Sequence, residues 1–169
     1  ETHVSQFGAA FIKGLHRGGV ISVAKHFPGH GDTNTDSHVE MPAVHLPLET
    51  LREFELVPFR HAIQTGVDMV MTSHIYFSKI EDKGVPATFS KKLLQDVLRG
   101  EVDFDGVIIS DCLEMNAISK TVGSVEGAVK AFTAGVDLLI VSHTFEIQKA
   151  VFQRLKEAAE KAKIELSSS

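Results

Sequence analysis

Four short, nearly continuous apolar runs most constrain what this chain can fold into: Val20 to His26, Val67 to His74, Gly106 to Asp111 and Gly135 to Val141. Runs of this kind read as parallel strands covered on both faces. Helical patterns alternate with them. Val4, Phe7, Phe11 and Leu15 recur at helical spacing ahead of Gly18-Gly19, which predicts a helix over about 3–16. Leu51, Phe54, Ala62 and Ile63 mark a second stripe that Gly66 stops; Pro58 inside it predicts a kink or two short helices. Ser90 suits the N-cap of a third helix, buried through Leu93, Leu94, Val97 and Leu98 and stopped by Gly100. A short helix is expected over Leu113 to Ile118, another from Val125 to Ala134, and a long one from Phe145 to Lys163 with Ile147, Val151, Leu155 and Ala159 inward. The tail 165–169 is expected to be disordered.

The predicted strands start near residues 20, 67, 106 and 136, and the gaps between them leave room for crossover helices. An α-β-α-β order implies an α/β fold with a parallel sheet, either an open doubly wound sheet or a (β/α) barrel. A complete (β/α)8 barrel takes roughly 250 residues. Four strands in 169 residues make about half of one, in a single domain spanning 1–169.

The net charge of −5 comes without a cluster of basic residues, which argues against a nucleic-acid partner. No apolar run approaches the length needed to span a membrane. The single cysteine, Cys112, rules out an internal disulfide framework. Glu1 is not an initiator methionine, so the chain is expected to begin inside something larger or to have been processed. Its localisation stays open between the cytoplasm and the cell wall or exterior of a bacterium.

Three of the strands end in polar residues: Lys25-His26, Ser73-His74 and Ser110-Asp111. Barrels and open α/β sheets alike place their ligands at that edge. Asp111 leaves the core there and can act as a nucleophile or charge stabiliser, or it can cap the helix that follows. Asp36-Ser37-His38 puts a carboxylate two residues from an imidazole, where it can fix the tautomer and make the pair a general acid and base near neutral pH; a plain polar turn has the same residues. Lys25 and His26 can donate to hydroxyls or a carbonyl. Neighbouring strand residues face opposite ways, so both reach one site only through a local bend, which Pro28, Gly29 and Gly31 allow. His26, His30, His38 and His74, with Asp32 or Asp36, could together hold a metal, but no zinc spacing is present and the histidines read as hydrogen-bonding groups. Neither dinucleotide-binding nor Walker glycine spacing occurs.

The stretch Lys25-His26-Phe27-Pro28-Gly29-His30-Gly31 followed by Asp36-Ser37-His38 resembles the signature of family 3 glycoside hydrolases, specifically the β-N-acetylglucosaminidase (β-N-acetylhexosaminidase) branch. Met69 to Ile75, Gly106 to Asp111 and Gly135 to Leu139 fit the same family in order and spacing, so the likeness runs from about residue 4 to about residue 160. It implies a TIM-barrel-type (β/α)8 catalytic domain of which this chain is about the second half. It also implies a retaining mechanism with Asp111 as nucleophile, His38 as acid/base and Asp36 orienting His38. Lys25 and His26 fall on sugar-binding positions, and His74 is placed with them. The implied substrate is a terminal β-linked N-acetylglucosamine of peptidoglycan fragments or chitooligosaccharides, in bacterial cell-wall turnover, with no cofactor and no metal. A family 3 β-glucosidase, a glycosyl phosphorylase and a non-catalytic half-barrel are the alternatives. The strands that precede the first one in this family are not in the chain. It is therefore expected to need the N-terminal half-barrel, or a second copy of itself, and to be inactive alone.

A histidine acid/base should give a neutral rather than acidic pH optimum, since its ordinary pKa is about 6.5. Replacing His38 by Gly is expected to suppress hydrolysis of an aryl N-acetylglucosaminide; an unchanged rate would remove His38 from the chemistry.

Overall fold

The computed structural model describes residues 1–31, 42–82 and 84–167, with side chains as far as residue 162. Four strands form one parallel sheet: β1 (Val23–Phe27), β3 (Met69–Thr72), β5 (Val107–Cys112) and β6 (Leu138–Ile140). They lie in the order in which the chain makes them, every neighbouring pair parallel. A doubly wound sheet reverses its strand order partway. This sheet does not, and it winds as a barrel does. Two further strands, β2 (Ala43–Val44) and β4 (Tyr76–Phe77), pair in parallel beside it.

Helices cover one face. α1 (Thr2–Arg17) precedes β1. Of the kink or two short helices expected around Pro58, the chain forms two helices, and α2 (Leu48–Glu53) and α3 (Leu56–Gln64) follow β2. The break falls at Phe54, four residues before Pro58. The proline has no N–H to offer the Phe54 carbonyl and its ring crowds that oxygen, which accepts the Val57 N–H instead. Phe54, expected in the buried stripe, is therefore exposed at the joint. A wide π-type helix (Lys92–Glu101) carries on through Gly100, its expected stop, and buries Leu93, Leu94, Val97 and Leu98 almost completely. Ser90 caps it through its hydroxyl, which accepts the Leu93 N–H. α4 (Asn116–Ser119) is shorter and later than expected; α5 (Ser124–Ala134) and α6 (Phe145–Ser167) complete the layer. α6 runs past Lys163 into the tail expected to be disordered. The main core lies between sheet and helices. Val70 and Ile108 project into it from β3 and β5, against Leu56, Phe59, Val97, Leu98 and Ala131.

The opposite face is a different matter. Strand residues alternate, so Met69, Met71 and Val107 point away from the helices and are only partly buried, while Val23 is 39% and Leu138 45% exposed. α1 also departs from its pattern. It packs through Ser5, Ala9 and Ile12, and its apolar stripe faces outward, with Phe7 76% and Phe11 69% exposed.

Two carboxylates fasten the strands at their starts. Asp68 accepts hydrogen bonds from the Ser22 N–H (2.7 Å), the Ser22 hydroxyl (2.7 Å) and His16 Nε2 (2.8 Å). These bonds, the Ser22 backbone first, hold its carboxyl well below the usual carboxylate range. Asp137 repeats the arrangement between β5 and β6, accepting the Ile108 N–H (2.8 Å) and an Arg99 N–H (2.7 Å). Both follow Gly-Val, at Gly66-Val67 and Gly135-Val136.

At the start of β5, Gly106 has no room for a side chain: a Cβ would lie 2.5 Å from the Asp68 carbonyl oxygen and 2.6 Å from the Phe104 ring. Gly106→Ala is expected to destabilise the fold by about 1–3 kcal/mol, as overpacking does, measured by denaturant unfolding of the intact protein.

Candidate active site

The parallel register brings the polar strand ends to one edge of the sheet. β1 carries Lys25 and His26 there, and its pairing with β3 is irregular between Ala24 and Phe27. This is the local bend that the sequence required. The Lys25–His26 and Phe27–Pro28 peptides are both cis. Two strands away, β5 carries Asp111. His26 Nε2 lies 3.4 Å from Asp111 Oδ2, both side chains about one quarter exposed, so imidazole and carboxylate share a half-dry surface. The other carboxylate oxygen, Oδ1, accepts the Cys112 N–H at 2.7 Å. Asp111 caps no helix: α4 starts only at Asn116 and has no side-chain cap. One oxygen of Asp111 is thus held by the backbone and the other is presented toward His26. This geometry suits a fixed carboxylate meant to meet an electrophile.

Lys25 and His26 also line a cavity of about 510 Å³ with His30, Glu55, Phe11 and Phe59. Asp111 is not part of it. The cavity lies along the edge of β1 that no described strand pairs with, between α1 and α3. Glu55, which nothing in the sequence singles out, closes against Gly29, whose missing Cβ would stand 2.5 Å from Glu55 Oε2. The His26 and His30 rings are 5.4 Å apart, centre to centre.

His74 does not join this surface. It is 1% exposed and both ring nitrogens are engaged: Nε2 is 3.0 Å from the Cys112 carbonyl and Nδ1 is 2.8 Å from the Thr88 hydroxyl. With Thr72 it lies on the helix side of the sheet, so its ring, expected among the sugar-binding residues, is not presented on the surface that carries His26 and Asp111. Burial lowers its pKa below the ordinary histidine value. Thr88 lies in a short 3₁₀ turn (Ala87–Phe89), fourteen residues beyond His74, and no local spacing announces it.

Asp36 and His38, the proton-transfer pair read from the sequence, lie outside the described residues, as does Asp32. Among the described residues, no three His, Cys, Asp or Glu side chains gather as a metal-binding group. No described helix is long and apolar enough to cross a membrane.

Comparison with known proteins places this geometry. The profile of the glycosyl hydrolase family 3 N-terminal domain matches residues 1–168. A beta-hexosaminidase of Tolumonas auensis is 41% identical over 138 residues, which are 81% of this chain and 41% of that protein. The chain thus spans about two fifths of the length of the curated relatives it matches. The structure of a family 3 β-N-acetylglucosaminidase from a Paenibacillus species superposes with a TM-score of 0.91 at 49% identity, covering 94% of this chain and 30% of that one. The β-N-acetylglucosaminidase of Thermotoga maritima gives 0.84 at 35% identity, covering 94% and 34%. The α/β fold with its parallel sheet is therefore that of the family's TIM-barrel-type domain, present here in part.

Proposed function

The chain belongs to glycosyl hydrolase family 3, and on that premise we propose that residues 1–169 form the second half of a (β/α)8 catalytic domain that removes terminal β-linked N-acetylglucosamine with retention of configuration. The observation that carries this reading is the fixed carboxylate of Asp111 at the C-terminal end of a barrel strand, one oxygen tied to the Cys112 N–H and the other facing His26. The beta-hexosaminidase and β-N-acetylglucosaminidase relatives support the choice of sugar.

The chemistry follows from the roles. Asp111 Oδ2 attacks the anomeric carbon while the bond to the leaving oxygen breaks, and His38, oriented by Asp36, gives that oxygen its proton. A glycosyl ester on Asp111 results. His38, now neutral, takes a proton from water as the water oxygen bonds to the anomeric carbon and the ester bond breaks, which regenerates both groups. Lys25 and His26 donate to hydroxyls of the same sugar ring. The natural substrates in this reading are peptidoglycan fragments or chitooligosaccharides.

The other half of the barrel is also part of the proposal. A parallel sheet is ordinarily covered on both faces, yet the face with Met69, Met71, Val107 and Leu138 is partly open. The stripe of Val4, Phe7 and Phe11 is turned outward beside the unpaired edge of β1. Four further strands, from an N-terminal half-barrel or from a second copy, would cover both and complete the sugar subsite.

In the intact protein, Asp111→Asn is expected to lower kcat on an aryl N-acetylglucosaminide by at least about 10³-fold. A fluorinated substrate analogue should leave its sugar on Asp111, read by peptide mass spectrometry. Label on another residue, or activity retained in the variant, would overturn the assignment. Sugar release that depends on added phosphate would point to the phosphorylase. Isolated residues 1–169 should show no turnover as a monomer; measurable hydrolysis by that species would end the half-barrel argument.

A further inference from the structure

We propose that His74 is a positioning residue for Asp111: a neutral imidazole that, from the helix side of the sheet, locks the peptide just beyond the nucleophile. The proposal rests on the reading of Asp111 as nucleophile. The contacts place one proton, and burial decides the other. The Cys112 carbonyl can only accept, so Nε2, 3.0 Å away, carries a proton. The neutral ring then has a lone pair on Nδ1, and the Thr88 hydroxyl at 2.8 Å donates to it. Thr88 Oγ1 in turn receives the Thr72 hydroxyl proton at 2.9 Å. The Ser73 carbonyl, which also lies 2.9 Å from Thr88 Oγ1, has the Thr88 backbone N–H as its donor at 3.2 Å. In this arrangement every group in the chain Thr72, Thr88, His74, Cys112 has a partner with the ring uncharged.

A cationic ring would also fit these distances, its Nδ1–H donating to Thr88 and the Thr88 hydroxyl turning to Ser73. Burial decides against it: Thr72, Thr88 and His74 are all 1% exposed or less, and an ion is costly in such a place. The titratable groups acting on the ring are Asp111, whose charge favours protonation, and His26, which opposes it. Desolvation outweighs both.

The locked peptide matters because of what hangs on it. The Cys112 carbonyl takes His74 and the Met115 N–H, and the Leu113 N–H on the same peptide donates to Ile140 of β6 at 2.9 Å. The adjoining peptide gives Asp111 its 2.7 Å bond to Cys112 N–H. His74 thereby fixes the link between β3 and the end of β5. Its removal would let the Asp111 carboxylate wander without touching the sugar.

The test uses the intact protein and an aryl N-acetylglucosaminide. His74→Leu should lower kcat about 10²-fold with KM changed by a factor of a few, the size expected when a reacting group is displaced by about 1 Å. His74→Gln keeps a donor for the Cys112 carbonyl and should restore activity to within about tenfold, with the pH profile of kcat/KM unmoved. Thr88→Val, which preserves shape if His74→Leu does not fold, should cost about tenfold in kcat. In ¹⁵N NMR the His74 ring should show a protonated Nε2 and a bare Nδ1 from pH 5 to 8. Wild-type kcat in both His74→Leu and Thr88→Val, a loss confined to KM, or a ring that titrates within that range would overturn the proposal. If Asp111→Asn stays active, the nucleophile assignment fails by itself, while the NMR signature still reports whether His74 is the neutral clamp.

Discussion

The parallel hydrogen-bonded register of β1, β3, β5 and β6 is what the site depends on, because residues far apart in sequence meet only if the strands begin level. Asp68 and Asp137 set that level. Each follows a Gly-Val pair and accepts the backbone N–H of the preceding strand's start, Ser22 in one case and Ile108 in the other. Each also takes a side-chain donor, His16 or Arg99, from the helix layer. The N-terminal edge of the sheet is thus fastened by these two carboxylates, and the C-terminal edge is left to carry Lys25, His26 and Asp111. The fastening and the candidate site occupy opposite ends of the same strands, as the barrel architecture favours.

The sequence made the layer order legible because apolar spacing is a local signal. The strands, the break near Pro58, the Ser90 cap and the buried face of Lys92–Glu101 all followed from residues within a few positions of one another. The misreadings concern facts that are not local. His74 ends an apolar run as His26 does, so the two look equivalent; which face of the sheet each addresses depends on the irregular register of β1. Thr88 engages His74 across an intervening loop. β2 and β4 have two residues each, too few to show a period. The choice between barrel and doubly wound sheet needed the strand order, which spacing alone does not contain.

α1 shows a further limit. Its stripe of Val4, Phe7 and Phe11 is the correct signature of an amphipathic helix, yet the helix packs through Ser5, Ala9 and Ile12. Apolar periodicity reports that a face is meant to be covered, not by what. Here the outward stripe borders the same cavity as the unpaired edge of β1, and the partly open strand face continues from it. Three independent patterns, on a helix, a strand edge and a sheet face, leave apolar surface open among the described residues, which is the surface the proposed half-barrel would cover.

In sequence, Asp36 and His38 fall between two described anchors. The chain leaves the sheet after β1 and is caught again at Pro42, whose carbonyl accepts the Tyr76 N–H, and at Ala43–Val44, paired with Tyr76–Phe77. Tyr76 is two residues beyond His74. One short stretch after β3 thus carries both the pairing that receives the chain again at Pro42 and His74, the clamp behind Asp111 in the proposed reading. In the proposed reaction the attacking carboxylate has to be held in place, since reaction geometry tolerates little displacement. In that reading, His74 buried with Thr88 and Thr72 and the next peptide tied to β6 hold Asp111 still.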